Sequence, residues 1–207
     1  MRAVQTKASR TRERMVEAAE RVMRSKGLAH ATIKEIAREA GYSEGAIYKH
    51  FESKEELFIR VLTERLPSFV CIIQELPRRA GRETVGGVLE EVAGAALAFY
   101  GESFPMSVSV FSEPGLLARH REEMKRRGMG PQKANEALVA YLEAERDLGR
   151  VHEDADPEAA AAMLLGACFQ RAFFGSFSGE DVIPAQEEGF VAGVVRTLMR
   201  SLSPGGE

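Results

Sequence analysis

The chain has 207 residues, of which 44% are hydrophobic and 29% charged, with a formal net charge of −3 and two cysteines. This composition supports a packed core and excludes a disordered charged polymer, and Cys71 and Cys168, lacking paired spacing, exclude a disulfide framework or a zinc ribbon. The charge is uneven: residues 1–60 hold 13 Lys and Arg against 9 Asp and Glu, whereas the remainder holds 15 against 22, so a phosphate-binding surface is expected near the N-terminus.

The N-terminus has no apolar segment of signal-peptide type, and no unbroken apolar span of about 18 residues is expected anywhere. The longest candidate, residues 159–177, is interrupted by Gln170 and Arg171 and reads as a buried helix. A cytoplasmic protein without membrane contact is the expectation. Residues 1–9, carrying Arg2 and Lys7, are expected to form a flexible basic arm. From Ser9 or Thr11 to Lys26, the residues Met15, Ala18, Ala19, Val22 and Met23 trace a helical stripe, which Gly27 is expected to stop.

Residues 32–51 read TIKEIAREAGYSEGAIYKHF. Ile33, Ile36, Ala37 and Ala40 form one apolar helix face, Thr32 and Glu35 a capping box, and Gly41 a C-terminal stop. Ser43 then offers an N-cap for a second short helix with Ile47 and Phe51 inward and Glu44, Gly45, Tyr48, Lys49 and His50 outward. The product is a helix-turn-helix, a geometry that can lay its second helix in a DNA major groove.

The pattern Thr-x-x-Glu-Ile-Ala-x-x-Ala-Gly-Tyr-Ser-x-Gly-Ala-Ile-Tyr-x-His-Phe-x-Ser-Lys-Glu-x-Leu, from Thr32 to Leu57, resembles the DNA-binding signature of TetR-type transcriptional regulators. The resemblance covers roughly Arg10 to Leu62; beyond it the likeness is one of architecture alone. It implies that Thr32, Ser43, Tyr48, Lys49, His50 and Lys54 touch phosphates, and that Lys34, Glu44, Gly45 and Ala46 face base edges. Each has a plainer alternative: Thr32 and Ser43 cap helices with or without DNA, Glu44 suits a helix N-terminus, and Tyr48 can pack on the first helix. In such regulators a terminal arm can also reach the minor groove, against which stands a simply frayed end for residues 1–9.

Ser53 and Glu56 suggest a second capping box, opening a helix with Leu57, Phe58, Val61 and Leu62 inward; Pro67 is expected to kink or break it before Leu76. A long helix is expected from Glu83 through Tyr100, a short one after Pro105 with Met106 and Phe111, and another after Pro114. The last has a basic outer face of Arg119, Arg121, Lys125, Arg126 and Arg127, read as solvated. A helix to about Leu148 is closed by Gly149, and Asp156-Pro157 opens one that is apolar on nearly every side and so needs cover on nearly every side. The final helix, about Ala185 to Leu202, carries a wide stripe from Phe190 to Leu202. The last two helices are expected to form a homodimer interface as a four-helix bundle. No strand pattern or repeat is found.

The expected fold is all-α: an arm at 1–9, a three-helix DNA-binding domain at 10–53, and a larger helical ligand-binding and dimerisation domain at 54–207. In the regulators that the chain resembles this region encloses a small-molecule pocket, which makes Phe99, Phe104, Met106, Phe111, Met163 and Phe174 candidates for lining one, with core packing as the plainer reading of any one of them. Arg171, stranded in an apolar helix, suits either a ligand carboxylate or an interface ion pair. No catalytic motif is found, and His30, His50, His120 and His152 are scattered, so no catalytic residue, metal or cofactor is expected. The function expected is a homodimeric repressor on a palindromic double-stranded operator, released by a small, lipophilic effector; effector-promoted DNA binding is the reverse possibility. A helical ligand-binding protein or enzyme with a vestigial DNA module, and a DNA-binding dimer controlled by a protein partner, stand as alternatives.

Overall fold

The computed structural model describes residues 7–179 and 184–204, and every regular element among them is helical. The α-helices are α1 (Lys7–His30), α2 (Ile33–Ala40), α3 (Glu44–Tyr48), α4 (Lys54–Glu64), α5 (Pro67–Glu75), α6 (Val85–Ser107), α7 (Pro114–Arg126), α8 (Gln132–Asp147), α9 (Pro157–Ser178) and α10 (Pro184–Leu202), with 3-10 turns at Leu76–Arg78 and Val108–Ser112. The chain divides into two compact units, one of Met1–Pro67 with Pro105–Met129, the other of Ser68–Phe104 with Gly130–Glu207. Most of the arm expected at residues 1–9 lies outside the described residues; residues 7–9 already belong to α1.

In the first unit α1 packs on α2 and α4, burying Met15, Ala18, Ala19 and Met23 with Ile36, Ala37, Leu57, Phe58 and Val61. Gly27 breaks the first helix, as expected, at φ 75° and ψ 163°, and a further helical turn follows it to His30. The glycine is needed because a Cβ would sit 2.6 Å from Ser109 Oγ, and that hydroxyl accepts the Ala29 N–H at 3.1 Å. The 3-10 turn Val108–Ser112 thus docks directly on the end of α1.

The short helix expected after Pro105 is a 3-10 helix, Val108–Ser112. α6 runs through the proline to Ser107 before tightening into the 3-10 turn. A proline in a helix forfeits its own N–H bond, and only the last turn of α6 follows it, so little of the helix is left to disrupt. The break expected near Pro67 is present: α4 ends at Glu64 with Arg65 as C-cap, and α5 starts at Pro67. The second capping box is only half formed, because Ser53 accepts the Glu56 N–H at 3.0 Å whereas the Glu56 carboxylate takes the N–H of Glu52 at 2.7 Å, not that of Ser53.

The core of the second unit is built from Val88, Leu89, Val92, Ala93 and Ala96 of α6, Leu138, Tyr141 and Leu142 of α8, Ala161, Leu164 and Cys168 of α9, and Val195 and Leu202 of α10. Among the described residues of this unit the fully buried carboxylate is Glu145, held by Arg150 Nε at 3.1 Å and by the Gly81 N–H at 3.1 Å. α9 starts on Asp156, which accepts the Ala159 N–H at 3.0 Å, and ends on left-handed Gly179.

One expectation about α9 is corrected. By length and composition α9 could cross a membrane, with mean hydropathy 1.3, contrary to the expected absence of such a span. Within this unit it is covered on one side only: Leu164, Leu165, Cys168 and Ala172 face the core, while Met163, Phe169, Phe173, Phe174 and Phe177 are exposed. The stripe on α10, by contrast, is largely used inside the unit, with Val191, Val195, Leu198 and Leu202 buried.

Gly27→Ala is expected to destabilise the protein by about 2 kcal/mol or more, since it combines a forbidden backbone region with a clash at Ser109. Thermal unfolding followed by circular dichroism measures it; an unchanged midpoint would show that the turn at Ser109 does not bear on α1.

Candidate nucleic-acid interface

α3 has five residues, too few to be stable alone. Its conformation is imposed from both ends and from beneath. At the end of α2, Gly41 adopts the left-handed conformation at φ 76° and the Tyr42 N–H bonds the Ala37 carbonyl at 2.9 Å, which turns the chain sharply. Ser43 Oγ then accepts the Ala46 N–H at 3.2 Å, capping the new helix. Ile47 and Phe51 are buried in the first unit. The Arg12 guanidinium lies 5.3 Å over the Phe51 ring and is itself fixed by two bonds to Glu64, at 2.9 and 2.7 Å.

With Ile47 and Phe51 inward, helical periodicity puts Glu44, Gly45, Tyr48 and Lys49 on one outward face. All four are exposed, Tyr48 by 56%, so the tyrosine does not pack away on α1. Ala46 and His50 flank that face and are half-buried. Gly45 has no internal reason to be a glycine: a Cβ there would meet nothing within 4 Å. A helical glycine costs roughly 0.5–1 kcal/mol relative to alanine, so its fit to the site is better sought outside the chain, where a close partner would need the space.

At the start of α2, Thr32 closes a full capping box: it accepts the Glu35 N–H at 3.2 Å while Glu35 accepts the Thr32 N–H at 3.2 Å. Glu35 is also paired with Lys26, and that bond, followed by the one from Thr32, holds its carboxyl below the usual range. Thr32 and Lys34 are exposed. Lys54 is different in kind. Its ammonium donates to the carbonyls of Ala29 and Ala31 at 3.1 and 3.0 Å, and burial pushes its pKa down. Two of its three N–H groups therefore cap the C-terminal end of α1, leaving one for any other partner.

The residues expected to line a pocket fall in both units. Met106 is fully buried and Phe111 is 73% exposed, both in the first unit. In the second unit Phe99 and Phe104 belong to a ladder of rings that includes Tyr100, Phe169 and Phe173, with neighbouring centroids 5.5 to 5.9 Å apart; Phe174 follows at 5.8 Å from Phe173. Met163 lines a separate groove of about 610 Å³ between α9 and α10, beside Gly189, Phe190, Gly193 and Thr197. Within its own chain Arg171 lies 3.6 Å from Glu187 and 5.7 Å over the Phe190 ring. Arg12, which steadies Phe51, carried no signal in the sequence, because its partners are 39 and 52 positions away.

Residues 15–61 match the model of the bacterial regulatory proteins of the tetR family. SrpR, an HTH-type transcriptional regulator of Pseudomonas putida, is 43% identical over 58 residues, which is 28% of this chain and only 27% of SrpR. In fold the chain is similar to SmeT, the repressor of the Stenotrophomonas maltophilia multidrug efflux pump SmeDEF, with a TM-score of 0.64 at 23% identity, covering 94% of this chain and 91% of SmeT. It is also similar to the transcriptional regulator FadR of Bacillus subtilis solved in complex with stearoyl-CoA, with a TM-score of 0.66 at 17% identity, covering 91% and 98%. At these identities the structural likeness is one of fold.

Gly45→Ala separates the two demands on α3. It is expected to raise stability by about 0.5 kcal/mol in thermal unfolding while weakening DNA binding several-fold in a mobility-shift assay. Equal or tighter DNA binding would remove Gly45 from the interface.

Proposed function

We propose, starting from the membership of this chain in the TetR family of helix-turn-helix transcriptional regulators, that it is a homodimeric repressor of a palindromic operator, released by a small lipophilic effector. The observation that carries this reading is α3: a helix with no stability of its own, capped and anchored so that only Glu44, Gly45, Tyr48 and Lys49 face outward. Phosphate contacts are assigned to Thr32, Ser43, Tyr48, Lys49, His50 and the remaining N–H of Lys54, and base edges to Lys34, Glu44, Gly45 and Ala46. A glutamate can accept from a cytosine amino group, and the Ala46 methyl suits that of a thymine. Residues 10–53 form the reading domain, and residues 54–207 serve effector binding and dimerisation.

One reader spans too few base pairs to select a site, so a second copy is required, and a two-fold dimer implies a palindromic operator. The uncovered apolar face of α9, together with the groove beside α10, supports the last two helices as the interface. The aromatic ladder between α6 and α9 supports an apolar effector, in keeping with the stearoyl-CoA bound to FadR and the efflux-pump control named for SmeT. Release is a population shift between two spacings of the recognition helices, with the segment from Leu57 to Leu76, broken before Pro67, as the moving part.

Two measurements test this. Lys49→Ala is expected to weaken operator binding and to make the slope of log affinity against log salt shallower by about one unit; an unchanged affinity and slope would remove α3 as the reader. Phe174→Glu is expected to convert a dimer into a monomer in sedimentation at micromolar concentration, because a charge would be buried in an apolar contact. A wild-type monomer would sink the dimer outright.

A further inference from the structure

The basic face of α7 is exposed at Arg119, Arg121, Lys125 and Arg126, as expected of a solvated face, yet Arg119, Arg126 and Arg127 also bond carboxylates in and just before the first turn of α4. Arg119 Nε lies 2.8 Å from Glu55. Arg126 binds Glu52 at 2.9 Å and Glu123 at 2.7 Å, and Arg127 binds Glu56 at 2.9 Å and Glu123 at 2.5 Å. The carboxylates of Glu55, Glu56 and Glu123 are nearly buried, and Arg60 stands a further 4.0 Å from Glu56. Burial alone would push the carboxyls of Glu55 and Glu123 up, but the bonds from Arg119 to the one, and from Arg127 and Arg126 to the other, leave both below the usual range. All of these groups belong to the first unit.

Their position matters more than their strength. Glu52 follows Phe51 directly and is three residues from Lys49, a distance the chain spans in at most about 10 Å. That is comparable with the Debye length of about 8 Å at physiological salt, so an unpaired carboxylate there would act on any phosphate held by Lys49. Glu56 cannot simply be dispensed with, since its carboxylate takes the N–H of Glu52 at the joint between α3 and α4.

We infer that Arg119, Arg126 and Arg127 are positioning residues for DNA reading: without touching DNA, they clamp the start of α4 and cancel the charge of Glu52, Glu55, Glu56 and Glu123, which would otherwise repel the phosphate backbone. The inference rests on the DNA-binding function proposed above. Several partly exposed ion pairs contribute little to stability one by one, whereas four carboxylates left bare beside a polyanion form a repulsive field.

The test uses the full chain and a duplex that the wild type selects from a random-sequence pool. Arg126→Ala/Arg127→Ala is expected to bind roughly tenfold more weakly at about 0.1 M salt, with the deficit shrinking as salt rises and screens the repulsion. Adding Glu52→Gln/Glu123→Gln to that variant is expected to restore most of the affinity, whereas the same glutamines in the wild-type background change it little. Equal gains in the two backgrounds would mean that the arginines act on DNA independently of the carboxylates, and would overturn the inference, as would a salt-independent deficit accompanied by a lowered melting point. Should the alanine variant fail to fold, Arg126→Lys/Arg127→Lys keeps the charge and is expected to bind within a few-fold of wild type; a full loss there also overturns it. A wild-type protein that selects no duplex removes the DNA-binding function itself, a result distinct from any of these.

Discussion

The burial of Ile47 and Phe51 is the constraint on which the rest of this structure depends. A helix of fewer than two turns gains too few hydrogen bonds to offset the entropy of fixing it, so its shape must come from outside. Here the turn at Gly41, the Ser43 cap and the apolar seat for two side chains impose it together. The elements behind supply the seat: α2 packs against α3, and Arg12 of α1 closes over the ring of Phe51. The outward face of α3 is therefore held in place by its cap and by residues behind it.

Charge is organised around the same segment. The chain is acidic as a whole, yet the unit carrying α3 uses its carboxylates in pairs, with Glu64 on Arg12, Glu35 on Lys26, and four glutamates on three arginines of α7. Lys54 illustrates the economy of such a site. A lysine that the family pattern assigns to DNA is bound here to the carbonyls that end α1, and so ties the first helix to the start of the fourth.

The second unit poses the opposite problem, an excess of apolar surface. α9 satisfies its core with one face and leaves a second face of methionine and phenylalanine open, up to Phe177 at 82% exposure. Exposed apolar surface of that kind favours association, and a symmetric copy of the same face is the simplest complement. The ring ladder from Tyr100 to Phe173 runs from partly buried positions out to this face, so one helix serves both the packing of its own chain and the surface offered to others.

Local chemistry was legible in the residues themselves. The Thr32–Glu35 box, the Gly41 stop, the Ser43 cap, the break before Pro67 and the Asp156-Pro157 start all depend on atoms within a few positions of one another, and each formed as read. The all-α class followed from periodicity for the same reason. What only the tertiary structure decided involves partners far apart in sequence. Gly27 must be a glycine because Ser109, 82 positions on, takes the space of a Cβ; Arg119, Arg126 and Arg127 bond glutamates more than 60 positions earlier, although Arg119 and Arg126 stay exposed; and Arg171 lies beside Glu187 of the last helix. Helix periodicity states which face is apolar but not which neighbour covers it, and for that reason α10 proved largely covered and α9 half open.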